Sequence, residues 1–325
     1  YTVDYDTAGQ SLNIVYSDST KGWLPVSDDA VADVPIPTIQ KAIFAYGNTG
    51  SGTAVSNLVN SSGVIASDVS GVGTARWELA GATYGTDKAI FGYGSTGSVS
   101  SLTNLVNNSG VIASDVSGVG TARWALAAAG YGDDKAIFAY GYTDANVSMS
   151  NLVNNSGVVA SDVSGVGTAR RSLFAATYGT DKAIFGYGTT GSVTAITNLV
   201  NSSGVVSSDV SGVGTARRFI AAAGYGGDKA IFAYGYTGGA VSLSNLVNNS
   251  GVVGSDVTGV GTARRELAAA SYGTDKAIFG YGRLDNDAAS SLSNLVSNTG
   301  VVASDVSGVG TARWALGAAG FSNAA

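Results

Sequence analysis

The chain contains no cysteine and no histidine. That double absence removes thiolate and imidazole metal ligands, cysteine nucleophiles, serine–histidine pairs and disulfides together. It leaves the redox compartment open, because a cysteine-free chain suits the cytosol and the extracellular space alike. Prolines are few, and all three (Pro25, Pro35 and Pro37) fall in the first 37 of 325 residues. No apolar run approaches the length of about 18 residues that crosses a bilayer as a helix, so membrane insertion is not expected. Basic residues are scarce, 17 against 23 acidic ones for a net charge of -6, and twelve of them recur at fixed positions. A continuous phosphate-binding stripe is therefore excluded, and with it a nucleic-acid partner. The opening YTVDY has neither Met nor a basic-then-apolar leader, which suggests a piece processed or excised from something longer.

What the chain has in abundance is glycine and repetition. KAIF stands at 41, 88, 135, 182, 229 and 276, a constant spacing of 47, and GVGTAR stands at 71, 118, 165, 212, 259 and 308. A period of 40 to 50 residues fits propeller blades or paired helices. Helices are disfavoured, because the one helix-like run, LAAA, is cut short by Gly and Tyr. Read as strands, the unit divides into RWALAAAGYG, DKAIFAYG, SLTNLVNNSG and VIASDVSGVGTAR, separated by Gly- and Asn-rich turns that tolerate positive φ. The expectation is all-β: six four-stranded blades, with small Ala and Gly residues of the first strand at the crowded centre.

The first KAIF strand has no inner strand before it, and the terminal WALGAAGF has no partner after it, so the C-terminal strand is expected to complete the blade that begins at Lys41. A size rule points the same way. Where the second strand carries Ala139 or Ala233 the preceding strand carries Gly130 or Gly224, and where it carries Gly92, Gly186 or Gly280 the preceding strand carries Thr83, Thr177 or Ser271. This reads as size traded across neighbouring strands, with Ala45 matched by Gly320.

In its opening Arg123 and in the Tyr140-Gly141 that closes the second strand, the unit resembles the kelch repeat, with YG in place of the usual double glycine. The resemblance covers residues 40 to 321 and lacks the usual Trp and Tyr of the third and fourth strands, making this a kelch-like relative and not a standard member. It implies a six-bladed propeller. Copper-radical chemistry found on kelch-type propellers needs His and Cys, which this chain does not have. Sialidase-like chemistry needs a distinct Tyr with an acidic partner, whereas Tyr here repeats as a strand-end residue.

Residues 1–30, with SLNIVYSDSTKGWLPV, read as a hairpin module anchored by Trp23; residues 31–39 read as a Pro-containing linker, and residues 40–325 as the propeller. TKGW together with KAIF and GTAR is similar to parts of modular phage and virus-like appendage proteins such as tail fibres. That resemblance implies a non-enzymatic structural component of a bacteriophage virion or extracellular surface appendage. Its expected partners are a host surface glycan or receptor, or neighbouring virion proteins, and it could be homo-oligomeric through the N-terminal module. No cofactor is expected.

For the repeated Arg76, Arg123, Arg170, Arg217, Arg264 and Arg313, the expectation is a structural ring. Each would bind carbonyls or the Asp eight residues earlier, from the set Asp68, Asp115, Asp162, Asp209, Asp256 and Asp305. The alternative is a central ring of arginines that binds an anion. GVG is no nucleotide loop, since neither GK[ST] nor a GxGxxG continuation follows. Asp285 and Asp287 read as a solvated loop or a calcium ligand pair, and Asn107 to Ser109 as a turn rather than a glycosylation acceptor. The informative positions are those that break the repeat: Trp77, Trp124, Arg171, Arg218, Arg265 and Trp314 directly after GTAR, and Tyr142, Tyr236 and Arg283 after the second strand. Both sets belong to connections on one face of the disc. Closing the circle would make one half of that face aromatic and the other cationic, a candidate surface for an acidic polysaccharide or a protein. A glycan-cleaving enzyme would instead need acidic residues converging in the channel, and a purely architectural spacer would need neither.

Overall fold

The KAIF segments form strands Lys41–Ala45, Lys88–Gly92, Lys135–Ala139, Lys182–Gly186, Lys229–Tyr236 and Lys276–Gly280. Beyond the lysine, Ala-Ile-Phe is fully buried in every copy, because each of these strands has other strands against both faces. In this computed structural model, which describes residues 14–19, 22–25 and 40–322, each KAIF strand is the middle of a three-stranded antiparallel sheet. On one side lie the Ala-rich strands Ala80–Tyr84, Ala127–Tyr131, Phe174–Tyr178, Ala221–Tyr225, Ala268–Tyr272 and Gly317–Phe321. On the other lie Ser56–Val59, Thr103–Val106, Ser150–Val153, Thr197–Val200, Ala240–Val247 and Ser293–Val296. The described residues contain no helix. The architecture is all-β and propeller-like.

The Ala-rich strands touch those of the next sheet in sequence, and Gly317–Phe321 touches both Ala268–Tyr272 and Ala80–Tyr84. Small side chains permit that convergence. Gly317–Phe321 also pairs with the first KAIF strand, from Gly317 opposite Ala45 to Phe321 opposite Lys41. Residues 1–37 and 38–325 form two compact units. In the first, Ile14–Asp18 pairs antiparallel with Gly22–Pro25, with Tyr16 opposite Trp23. The linker expected at residues 31–39 lies outside the described residues.

Three expectations need correction. The fourth segment of each unit is not a regular strand. It meets the third strand at two isolated bridges, Val59 with Ile65 and Ser56 with Val69 in the first unit. Between these bridges the third strand advances by three residues and the outer segment by four, so a continuous ladder cannot form. The Asn57 side chain fills the gap, its Nδ2 donating to the Ala66 carbonyl at 3.0 Å. Secondly, the repeated arginine does not open the inner strand. Trp124 bridges Tyr142, Ala125 with φ 52° then interrupts the ladder, and regular pairing resumes at Ala127.

The third correction concerns the size rule. Gly320 faces Ala42 and Gly130 faces Ala136, so these two glycines do not oppose Ala45 and Ala139, which face Gly317 and Ala127. The trade runs between sheets. The hydroxyls of Thr83, Thr177 and Ser271 donate to the carbonyls of Gly320, Gly130 and Gly224 at 2.8, 3.0 and 2.9 Å. At Gly92, Gly186 and Gly280 a Cβ would come within 2.8 Å of Phe138, Phe232 and Phe44 of the following sheet. Alternate sheets therefore differ in kind, which is why the pattern repeats every second unit.

Candidate functional site

The six GVGTAR copies are junctions. Arg217 is fully buried, with Nε donating to the Tyr234 carbonyl at 2.9 Å, Nη1 to the Thr215 carbonyl at 3.0 Å and Nη2 to Asn245 Oδ1 at 2.7 Å. Its guanidinium lies 4.4 Å from the ring centre of Tyr187, which ends the middle strand of the preceding sheet, so each arginine ties two sheets together. Tyr187 in turn donates its hydroxyl to the Val213 carbonyl of GVG at 3.2 Å. The second glycine of the motif is required by space and conformation: Gly214 has φ 77°, and a Cβ there would meet Asp256 at 2.4 Å.

The aspartate partner differs from the one expected. Asp68 does not pair with Arg76. Its carboxylate accepts Thr311 N–H at 3.1 Å and Thr311 Oγ1–H at 2.6 Å, from the last repeat. Arg76 instead approaches Asp115 at 3.7 Å, Arg123 approaches Asp162 at 4.0 Å, Arg217 approaches Asp256 at 4.0 Å and Arg264 approaches Asp305 at 3.4 Å. The chain between each Asp and the next Arg crosses to the following sheet and carries the arginine away from its sequence neighbour. Burial works against ionisation of Asp256, but hydrogen bonds from Thr215 and Asn245, with Arg217 nearby, outweigh it and hold the carboxyl below its usual range. Asp209 is held down in the same way by Thr168, Asn198 and Arg170.

The repeat-breaking residues occupy a different environment one position further along. Trp77, Trp124, Arg171, Arg218, Arg265 and Trp314 are half-buried, and each bridges the residue that follows YG: Ser95, Tyr142, Thr189, Tyr236, Arg283 and Asn48 respectively. The structure thus brings Tyr142, Tyr236 and Arg283 directly against the junction set. The three Trp and the three Arg keep successive places in this order, and the residues that follow YG bring rings against the guanidiniums. Trp124 meets Tyr142 edge-on at 5.5 Å, Arg171 lies over Tyr142 at 4.3 Å, and Arg265 lies over Tyr236 at 4.8 Å. Arg283 covers Trp314 at 4.9 Å, while the Trp77 ring packs against Gly52. Asp285 and Asp287 serve this arc: Asp287 pairs with Arg265 and, at 3.4 Å, with Arg283, while Asp285 accepts the Ala240 N–H at 2.8 Å. Among the described residues no group of three potential ligands comes together to hold a metal ion. Asn107 forms the turn expected of it, its Oδ1 accepting from Ser109 and Val111 N–H at 3.0 and 2.9 Å.

The position after the junction residue was passed over by sequence reasoning. Glu78, Ala125, Ser172, Phe219, Glu266 and Ala315 all have φ between 52° and 55°, and they form an unbroken cycle of backbone hydrogen bonds. Glu78 N–H donates to the Ala315 carbonyl, Ala125 to Glu78, Ser172 to Ala125, Phe219 to Ser172, Glu266 to Phe219 and Ala315 to Glu266, at 2.8 to 3.0 Å. The next residues, Leu79, Leu126, Leu173, Ile220, Leu267 and Leu316, are buried as an apolar floor. Above that floor remains a cavity of about 30 Å³, room for a water or two but not for a sugar ring. Deeper down, Phe174 fills space where other repeats carry Ala or Gly.

Two carboxyls stand on this cycle. Burial, reinforced by Glu266 and opposed by Arg171, pushes the Glu78 carboxyl up to about 8. Burial also raises Glu266, against the pull of Arg283, Arg265 and Arg218. The signal was present in the sequence, since WE, WA, RS, RF, RE and WA vary where their neighbours do not. Its meaning depends on the cycle, which local pattern does not reveal. The chain matches no protein-family model, and a search of curated proteins returns no similar sequence. Among the described residues no helix is long and apolar enough to cross a membrane.

Proposed function

We propose that the repeat region is a six-bladed kelch-like propeller closed by its C-terminal strand, and that it is a non-enzymatic binding component of a virion or extracellular appendage. The arc of aromatic rings and arginines is its binding face. One observation carries this reading. Apart from Lys21 and the Lys and Arg that every repeat carries, each remaining basic residue (Arg171, Arg218, Arg265 and Arg283) lies on this arc, in a chain of net charge -6. Loops that drift without function have no reason to gather cations on one side of an acidic protein. The assignment to an appendage rests on the resemblance of TKGW, KAIF and GTAR. The partner is a host glycan, a receptor or a neighbouring virion protein, and the N-terminal hairpin is the candidate for self-association.

The test compares two triple variants on a glycan array and in pull-down from host surface material. Changing Arg171, Arg218 and Arg265 to Ser should weaken binding and flatten its salt dependence. Changing Trp77, Trp124 and Trp314 to Ala should weaken binding and leave the salt slope unchanged. Folded variants that both bind like the parent would favour the spacer.

A second reading has a specific observation behind it. Burial, with Glu266 adding to the rise, pushes the Glu78 carboxyl up to about 8, the raised acid that a glycan-cleaving site uses. Sustained hydrolysis of a glycan panel, abolished by Glu78→Gln, would establish that reading in place of the first.

A further inference from the structure

We infer that the centre of this face, between Arg171 and Arg218 and beside Ser172 and Phe219, is a binding site for the anionic group of an acidic saccharide. The inference rests on the binding-face reading and sharpens it to one subsite.

The four additional arginines are not equivalent. Arg265 and Arg283 share Asp287, and Arg265 also reaches Glu266 at 3.9 Å and Asp285 at 4.0 Å. Arg171 and Arg218 have no carboxylate within ion-pairing distance among the described residues. Arg171 makes one long hydrogen bond, 3.4 Å to Asn146 Oδ1, and Arg218 keeps Nε buried without any partner. The other unpartnered buried side-chain atoms, on Asn57, Arg170, Asn198 and Arg264, all belong to the repeated arginine–asparagine junctions. Arg218 is the exception that the repeat does not explain: none of its guanidinium nitrogens makes a hydrogen bond or ion pair among the described residues, and the half-buried side chain leaves its terminal nitrogens for a ligand to take.

Position supports the same conclusion. Arg171 and Arg218 occupy successive junctions, drawn together by the Phe219 N–H to Ser172 carbonyl bond of 3.0 Å. Both guanidiniums are held on rings, Arg171 over Tyr142 at 4.3 Å and Arg218 over Phe219 and Tyr236 at 4.9 and 5.5 Å, so little side-chain freedom remains to be lost on binding. Phe219 itself is bulky, half-buried and strained at φ 55°, where glycine would sit without cost. Two forks flanked by aromatic surface match an oxyanion carried on a sugar better than a free ion, which has no use for the rings. Burial pushes the Glu78 carboxyl up to about 8, which lessens its cancellation of the Arg171 charge at neutral pH.

The chemistry is shared by uronate carboxylates and sugar sulfates, and the experiment separates them. The intact protein is titrated calorimetrically at low salt with a uronate oligosaccharide, a sulfated oligosaccharide, the neutral parent sugar, inorganic phosphate and an N-acetylated glutamyl peptide. One acidic saccharide should bind at least tenfold more tightly than the neutral sugar. Arg218→Gln and Arg171→Gln, each with an unchanged thermal midpoint, should each weaken it about tenfold, while Lys135→Gln at the opposite end of the strands should not. Affinity should fall as pH rises past 8, when Glu78 ionises and its charge opposes that of Arg171, and Glu78→Gln should remove that dependence. Equal binding of the neutral sugar, or phosphate or peptide binding as tight as the saccharide, would overturn the assignment. Array binding that still depends on the arc while no acidic saccharide competes would sink this subsite alone. Loss of arc-dependent array binding with saccharide titration intact would sink the wider reading alone.

Discussion

Arg217 and Arg218 are consecutive in the chain and opposite in circumstance. Arg217 is fully buried, lies on Tyr187 and has three of its nitrogens hydrogen-bonded. Arg218, one residue on, is half-buried, lies on Tyr236 and leaves Nε without a partner. Arg264 and Arg265 do not repeat the contrast: Arg264 leaves its own Nε without a partner inside the junction, and Arg265 is taken up by Asp287. A side chain satisfied wholly by the chain's own carbonyls, Asn and Asp has no donors left for a ligand. One held in place but unsatisfied has. What separates Arg217 from Arg218 is thus both the fate of the guanidinium donors and burial: the junction arginines are fully buried, whereas Arg218 is half-buried and open to a ligand.

The most severe way to break the comparison is to remove one junction and its neighbour together. Deleting residues 312–325 removes Arg313, Trp314 and the strand paired with Lys41–Ala45, exposing an unpaired edge on the first sheet. Cooperative unfolding should be lost and aggregation should appear, as read by calorimetry and light scattering. A truncated chain that melts like the parent would show that this pairing does not hold the repeat region together.

Next in size is the direct contrast. Arg217→Met should cost about 3 to 5 kcal/mol, because it strands the Tyr234 and Thr215 carbonyls and Asn245 Oδ1 in a buried junction. Arg218→Met should change stability by about 1 kcal/mol or less, since only its stacking on Phe219 and Tyr236 is lost. Denaturant melts of the two variants side by side decide the matter, and equal losses would erase the distinction.

The smallest effect is a pH dependence of opposite sign in the two regions. The junction aspartates have depressed folded pKa values, so their contribution is present above the unfolded value of 3.8 and disappears as pH falls below it. Glu78 has a raised folded pKa. Its folded state keeps a proton that the unfolded chain releases above 4.5, so its contribution is complete below that value and is lost as pH rises to about 8. Stability should peak between these limbs. Glu78→Gln should leave the acid limb unchanged and recover on the order of 2 kcal/mol at pH 9, a figure reduced from the full shift because the residue is partly solvated. An alkaline limb unaltered in the variant would mean that Glu78 is not its source.

Much of this was legible from pattern alone. The period in KAIF and GVGTAR, the Gly and Asn turns and the doubly apolar middle strands follow from local chemistry that every repeat shares, so the all-β sheets and their order could be read directly. The unpaired first and last strands likewise announced their need for each other, because a lone edge is a liability that one chain can relieve internally. Partner identity was not legible. Asp115 lies eight residues from Arg123 in sequence yet serves Arg76, because the chain crosses to a new sheet between them. The Gly and Thr alternation was visible but was assigned to the wrong neighbour, since strands within a sheet and strands of successive sheets leave the same trace in sequence. The cycle through Glu78, Ser172 and Phe219, the raised carboxyls upon it and the unsatisfied Arg218 arise only when residues of different repeats are brought against one another. The sequence by itself determined what each repeat is made of, because turns and strands depend on residues close along the chain. The tertiary structure decided which groups meet and which are left unpaired, because burial and hydrogen-bond satisfaction depend on residues that come from different repeats.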